Sequence, residues 1–282
     1  MTDSPAGRDA VQRKVAALLL SVIGDDGFAL AGASAIREHA LTDRPTEDID
    51  LFGMPLTTAE EFARVVQRAE TTLSGAGYTV VRARSFAQFA RLHLSDGEGD
   101  VLDVDLALNW RADPPVHLDV GPVLSERDAI AGKLSAVYSR GEVRDFLDLD
   151  AIRTSCRYTD AELLGLGREH DDGFDTAMFA AQLSRVATFL PSEPAHYGVS
   201  ADDFAGVQER LLAWAVHLRD GPERASDVPS FLQVEPRQPE PHRRLPPRAS
   251  TRRPGRPGPF DDPFSPQRRE GPSGPERRGF GR

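Results

Sequence analysis

Cysteine is almost absent from this chain, with Cys156 the only one. No intramolecular disulfide is available and no cysteine-rich zinc site can form. The seven histidines show no metal-ligand spacing on one helix face; His93 and His217 read as packed or surface residues. No Ser-His-Asp arrangement is inferred. Lysine is nearly absent as well, with only Lys14 and Lys133, so arginine carries almost all the positive charge. Basic residues are outnumbered: the formal net charge is -10 and the pI about 5.2, which excludes a general nucleic-acid coat. No apolar run is long enough to span a membrane. The most apolar stretch, "VAALLLSVI" (Val15 to Ile23), follows Arg13 and Lys14 as a signal h-region would. Asp3 and Asp9 interrupt the basic start, however, and "GDDG" stands where small cleavage residues belong. A packed N-terminal helix and a cytoplasmic location are expected.

What is present divides into three zones. The first, residues 1–112, mixes strand and helix signals. "FALA" (Phe28 to Ala31) is a short apolar strand and "SAIREHAL" one or two helical turns. "EDIDLF" is a second strand. "TTAEEFARVVQRAETTL" is an amphipathic helix that Thr58 can cap, with Phe62, Val65, Val66 and Ala69 on one face and "GAG" at its end. "YTVVRARS", "FARLHL" and "VLDVDLAL" read as further strands, with "SDGEGD" as a turn. The second zone, residues 113–220, reads as helical throughout. One of its helices opens with Ser125 as cap and Asp128 at the capping-box position. The third zone, residues 221–282, is rich in Pro, Arg and Gly with almost no aliphatic residues. Such a composition buries too little surface to offset chain entropy, so a disordered tail is expected. Trp110 and Trp214 read as core or interface anchors.

Two segments carry acids on otherwise apolar ribbons. Alternation in a strand puts Asp48 and Asp50 on one face and Ile49 and Leu51 on the other. "VLDVDLAL" repeats the design, with Asp103 and Asp105 opposite Leu102, Val104 and Leu106. Side by side, such strands bring three or four carboxylates together, and hard oxygen ligands suit Mg2+ or Mn2+. Two such ions can clamp the attacking and leaving oxygens of a phosphoryl-type displacement. Upstream, Gly32 follows a strand and Ser34 opens a helix, where backbone N–H groups and a hydroxyl can meet phosphate.

Gly-x-Ser, an interval carrying "RPTEDIDLF", Asp-x-Asp on a strand and a further acid on a later strand resemble the nucleotidyltransferase superfamily signature. With "KLSAVYSRGEVRDFLDLDAI" downstream, roughly Phe28 to Arg153 is similar to the AbiEii/AbiGii toxin-type nucleotidyltransferases. One departure is "GAS" where members often have two glycines before the hydroxyl residue. The resemblance implies a nucleotidyltransferase-like α/β (α+β) mixed sheet with flanking helices, followed here by an α-helical domain and the tail. It implies that an acceptor hydroxyl attacks the α-phosphate of a nucleoside triphosphate and expels pyrophosphate. Asp48 and Asp50 would hold the metals, and Asp105 would complete the set and help deprotonate the acceptor, with Asp103 its rival. Gly32 and Ser34 would cradle phosphates. The resemblance further implies a toxin of a toxin–antitoxin pair, with a cognate antitoxin, that modifies the 3′ end of tRNA. A stand-alone transferase acting on a small molecule or protein hydroxyl, and a non-catalytic nucleotide-binding protein, are the competing readings.

Composition adds an argument for Lys133. In a chain that uses arginine nearly everywhere, a lysine kept mid-helix beside Ile130, Leu134 and Val137 suggests a need for a compact ammonium, such as pairing with a triphosphate oxygen. The helix has its own apolar side, so that ammonium is not expected to matter for packing. Asp145 and Asp148 lie on adjacent turns of one helix. They could bridge Arg140, Arg144 or Lys133, or position the nucleotide or acceptor. Arg44 could meet phosphate or acceptor, or pair with Glu47 or Asp48.

Overall fold

The computed structural model describes residues 5–55, 58–97 and 99–220. The expected tail, residues 221–282, lies outside the described residues.

A helix, α1 (Pro5–Ile23), opens the described chain, and a single 3-10 turn links it to strand β1 (Ala29–Leu30). Then come α2 (Gly32–Glu38), β2 (Asp48–Gly53), α3 (Ala59–Gly75), β3 (Thr79–Ser85), β4 (Phe89–Asp96) and β5 (Gly99–Leu108). Thr58 caps α3 through a reciprocal capping box with Glu61, satisfying two N-terminal N–H groups. The short strands β6 (Val116–Leu118) and β7 (Gly121–Val123) follow. They correct the reading of residues 113–220 as wholly helical. Three residues are too few for a periodic signal, and Gly121 at φ +119° marks the tight return between them. Five helices complete the described chain: α4 (Glu126–Ser139), α5 (Val143–Thr154), α6 (Asp160–His170), α7 (Thr176–Ser184) and α8 (Ala201–Asp220).

The strands form one mixed sheet in the order β3-β4-β5-β2-β1-β7-β6. β3, β4 and β5 are an antiparallel meander, β5 and β2 run parallel, and β1 is antiparallel to β2 but parallel to β7. One sheet face carries Ile49, Leu51, Leu92, Val104 and Leu106, all buried. α3 covers this face: Arg82, paired with Leu92 in register, reaches from it to Glu70 of α3. Val15, Leu19 and Ile23 of α1 join Phe62, Val65 and Val66 of α3 in the same core. Burying a Leu, Ile, Val or Phe side chain contributes about 1.5–3 kcal/mol, so this apolar face fixes the strand register. The opposite face is thereby forced to display the alternate residues, among them every acid of the two Asp-x-Asp segments.

Candidate active site

Register decides which acids meet. In the parallel β2–β5 pair, Asp48 stands opposite Asp103 and Asp50 opposite Asp105. Among the described residues, Asp48, Asp50 and Asp105 form a group able to hold a metal ion, each offering an oxygen within 4.8 Å of the others. Asp105 is 1% exposed. Burial first, then the charges of Asp48 and Asp105, push the Asp50 carboxyl up to about 7 against the pull of Lys133 and Arg140. Burial also raises Asp105, opposed by the Arg91 guanidinium that grips it at 2.7 and 2.6 Å. Asp103 is a third exposed and accepts from His93 at 2.8 Å. A cluster of hard oxygens whose mutual repulsion is incompletely neutralised fits a divalent cation such as Mg2+ or Mn2+.

Gly32 explains how β2 and α2 come together. Its φ is +57°, and a Cβ there would lie 1.8 Å from Oδ2 of Asp50. Only a residue without a side chain leaves room for the carboxylate and takes that backbone conformation without strain. The Ala31 N–H, one residue earlier, donates to the Asp50 carbonyl at 2.8 Å, tying the loop to the strand. Ser34 sits beside Thr46, with its Oγ 3.4 Å from Thr46 Oγ1, which donates to Gln12 at 2.7 Å. Ser34 also lines a cavity of about 340 Å³ with Gln12, Arg37, Ile49 and Val120. Ile49 belongs to the sheet face turned away from the acids, and none of the three carboxylates lines this cavity.

Facing the acids is a bank of cations, Lys133 and Arg44 buried and Arg140 and Arg144 half-buried. Lys133 of α4 is 7% exposed and places Nζ 2.7 Å from Asp148 and 3.7 Å from Asp145. Arg44 grips Asp148 with two bonds of 2.9 Å, and its guanidinium lies 4.8 Å from the Tyr197 ring centroid. Arg140 grips Asp145 at 2.9 and 3.0 Å. Asp145 also caps α5 by accepting from the Glu142 N–H at 3.2 Å. Both acids are fully buried. Burial favours their neutral forms, but Arg140 and Lys133 for Asp145, and Lys133 and Arg44 for Asp148, outweigh it and hold both below the usual carboxylate range. Arg144 closes the circuit, 2.9 Å from Glu142, 3.5 Å from Glu47 and 3.9 Å from Asp48.

Comparison with known families gives a match over residues 15–216, to the family described as nucleotidyl transferase AbiEii toxin, Type IV TA system. The chain belongs to the AbiEii nucleotidyltransferase family. No curated protein matches it. Among solved structures, MenT4, a nucleotidyltransferase toxin from Mycobacterium tuberculosis H37Rv, is similar at 18% identity and TM-score 0.50, over 76% of this chain and 85% of that one. JHP933 from Helicobacter pylori is similar at 15% identity and TM-score 0.47, over 77% of this chain and 94% of that one.

Within this AbiEii-family chain the structure gathers Asp48, Asp50, Asp105 and Gly32 at one place and sets Lys133 against Asp145 and Asp148. Arg44 pairs with neither Glu47 nor Asp48 but with Asp148, 104 residues away. Asp145 and Asp148 bridge Arg140 and Lys133, two of the partners the sequence offered, and Asp148 adds Arg44, which it did not. The Lys133 ammonium, expected to be free of packing, is buried in that network. Sequence reasoning passed over Arg91 and His93's bond to Asp103. The available signal was β4's alternation, which puts Arg91 and His93 on the acid face.

Proposed function

We propose that this nucleotidyltransferase moves a nucleoside monophosphate from a nucleoside triphosphate to an acceptor hydroxyl, releasing pyrophosphate, with Mg2+ or Mn2+ held by Asp48, Asp50 and Asp105. The observation that carries this reading is the β2–β5 register, which aligns the two Asp-x-Asp segments and brings three carboxylates within 4.8 Å opposite buried cations. When bound, the divalent ion would supply Lewis-acid stabilisation of the charge that develops on the phosphate oxygens.

The chain's own groups do the rest. Asp105, whose carboxyl is raised by burial, accepts the proton of the acceptor hydroxyl. Lys133 and Arg140, whose charges act on Asp50, offset the negative charge of the triphosphate on the helical side. Asp145 and Asp148, fully buried and spanned by cations, work through those cations by fixing where the ammonium and guanidinium groups point. Gly32 keeps the loop backbone close to Asp50, so that a phosphate bound by the loop lies beside the carboxylates. The Type IV toxin–antitoxin description of the family supports a cognate antitoxin as partner. The family resemblance supports the 3′ end of tRNA as acceptor.

Incubation with each α-labelled triphosphate, Mg2+ and total cellular RNA tests the reading. Label in the tRNA fraction is the expected result. Label on a small molecule or protein would move the acceptor, and no transfer to any acceptor would overturn the proposal.

A further inference from the structure

The two acids of β5 are equivalent in their own strand. Both point to the same sheet face, and each stands opposite an acid of β2. What distinguishes them is the strand on the other side. β4 places Arg91 directly opposite Asp105 and His93 directly opposite Asp103. Arg91 meets Asp105 as a fork, Nε to Oδ1 at 2.7 Å and NH2 to Oδ2 at 2.6 Å, and leaves Asp103 at 3.8 Å.

We infer that Arg91 is a positioning residue for Asp105, fixing the plane of its carboxylate so that the free lone pairs face Asp48 and Asp50. This rests on the metal-dependent transferase reading above. A carboxylate has about four acceptor sites on its two oxygens, and a planar guanidinium takes one on each. That leaves the group unable to rotate yet able to accept one further bond at each oxygen. Asp105 needs such a partner, because at 1% exposure water cannot hold its charge or orientation. Asp103, a third exposed, is open to solvent and held instead by His93. β4 therefore sorts the pair: the fork makes Asp105 the third carboxylate of the cluster, and the imidazole keeps Asp103 outside it.

Arg91→Lys is the test, because it keeps the positive charge and loses the fork. Mn2+ binding is measured directly, by calorimetry or electron paramagnetic resonance, alongside transfer kinetics and thermal unfolding. Expected are a loss of Mn2+ affinity and of kcat of about 10- to 100-fold each, the usual scale for groups that orient a metal ligand. KM for the triphosphate and the melting temperature should stay near wild type. Arg82→Lys, on the opposite sheet face and bound to Glu70, is the control that should change nothing. Should Arg91→Lys fail to fold, Arg91→Gln, which keeps a planar donor but not the charge, carries the same expectation for Mn2+ affinity and kcat, with a lowered melting temperature. Wild-type Mn2+ affinity and turnover in these variants would overturn the inference. If the wild-type chain transfers no nucleotide, the transferase reading fails, but the Mn2+ comparison still decides the role of Arg91.

Discussion

Asp50→Asn removes a charge that the metal-free fold holds under strain. The side chain keeps its shape, and only the ionisation changes. In the folded chain the Asp50 carboxyl is pushed from 3.8 up to about 7. A raised acid means that the folded state binds the proton more tightly than the unfolded one. Its contribution is therefore fully present below pH 4 and is lost as pH rises through about 7. Three units correspond to a ceiling of about 4 kcal/mol. Asp48 and Asp105 share the charge, and Asp48 and Asp50 are only half-buried, so the realised difference should be about 1–2 kcal/mol. At 2–4 °C per kcal/mol this is a shift of about 2–8 °C. Thermal unfolding in a chelating buffer should thus show Asp50→Asn melting above wild type at pH 8, with the gap narrowing as pH falls from about 7 and closing near pH 4. Adding Mg2+ should raise the wild-type melting temperature and leave the variant unchanged. A variant that melts below wild type at pH 8, or a gap that ignores pH, would refute the reasoning.

Four further outcomes follow from the same geometry. Lys133→Ala should slow transfer and also lower stability, by up to about 3 kcal/mol, because it opens a buried network around Asp148 that Arg44 only partly satisfies; chemical unfolding measures it. Gly32→Ala should cost about 1–2 kcal/mol for the positive φ. It should cost transfer activity far more, since the new Cβ displaces the Asp50 carboxylate, and a stability curve beside a rate measurement separates the two effects. Asp105→Asn should lower kcat by about 100-fold while Asp103→Asn lowers it little; equal losses would return Asp103 to the cluster. A chain ending at Asp220 should keep metal-dependent triphosphate binding, read by calorimetry, because every group of the proposed site lies before it.

Much of this was legible in the sequence because it is local. Thr58 and Glu61, three residues apart, announce the start of α3. Strict alternation around Asp48, Asp50, Asp103 and Asp105 announces two strands with acids on one face. What was not legible depends on contacts across the chain. Nothing near Arg44 points to Asp148, because the pair forms only when α5 packs over the loop before β2. Nothing near Gly32 points to Asp50, because the close approach exists only once α2 and β2 are adjacent. Lys133 stood out by its rarity, yet rarity could not say that its nearest partners are two fully buried acids. β6 and β7 were missed because three residues each give no period and the sheet itself supplies their order.

The central claim is that the Asp48–Asp50–Asp105 cluster drives transfer of a nucleoside monophosphate. The most direct measurement offers the chain triphosphate labelled at the α- or the γ-phosphate, with and without Mg2+, and repeats the assay with Asp50→Asn. The account predicts that α-label alone becomes covalently attached to the acceptor, only with the divalent ion present, and falls by at least about 100-fold in the variant. Transfer of γ-label, or an Asp50→Asn variant that transfers α-label at the wild-type rate, would contradict it.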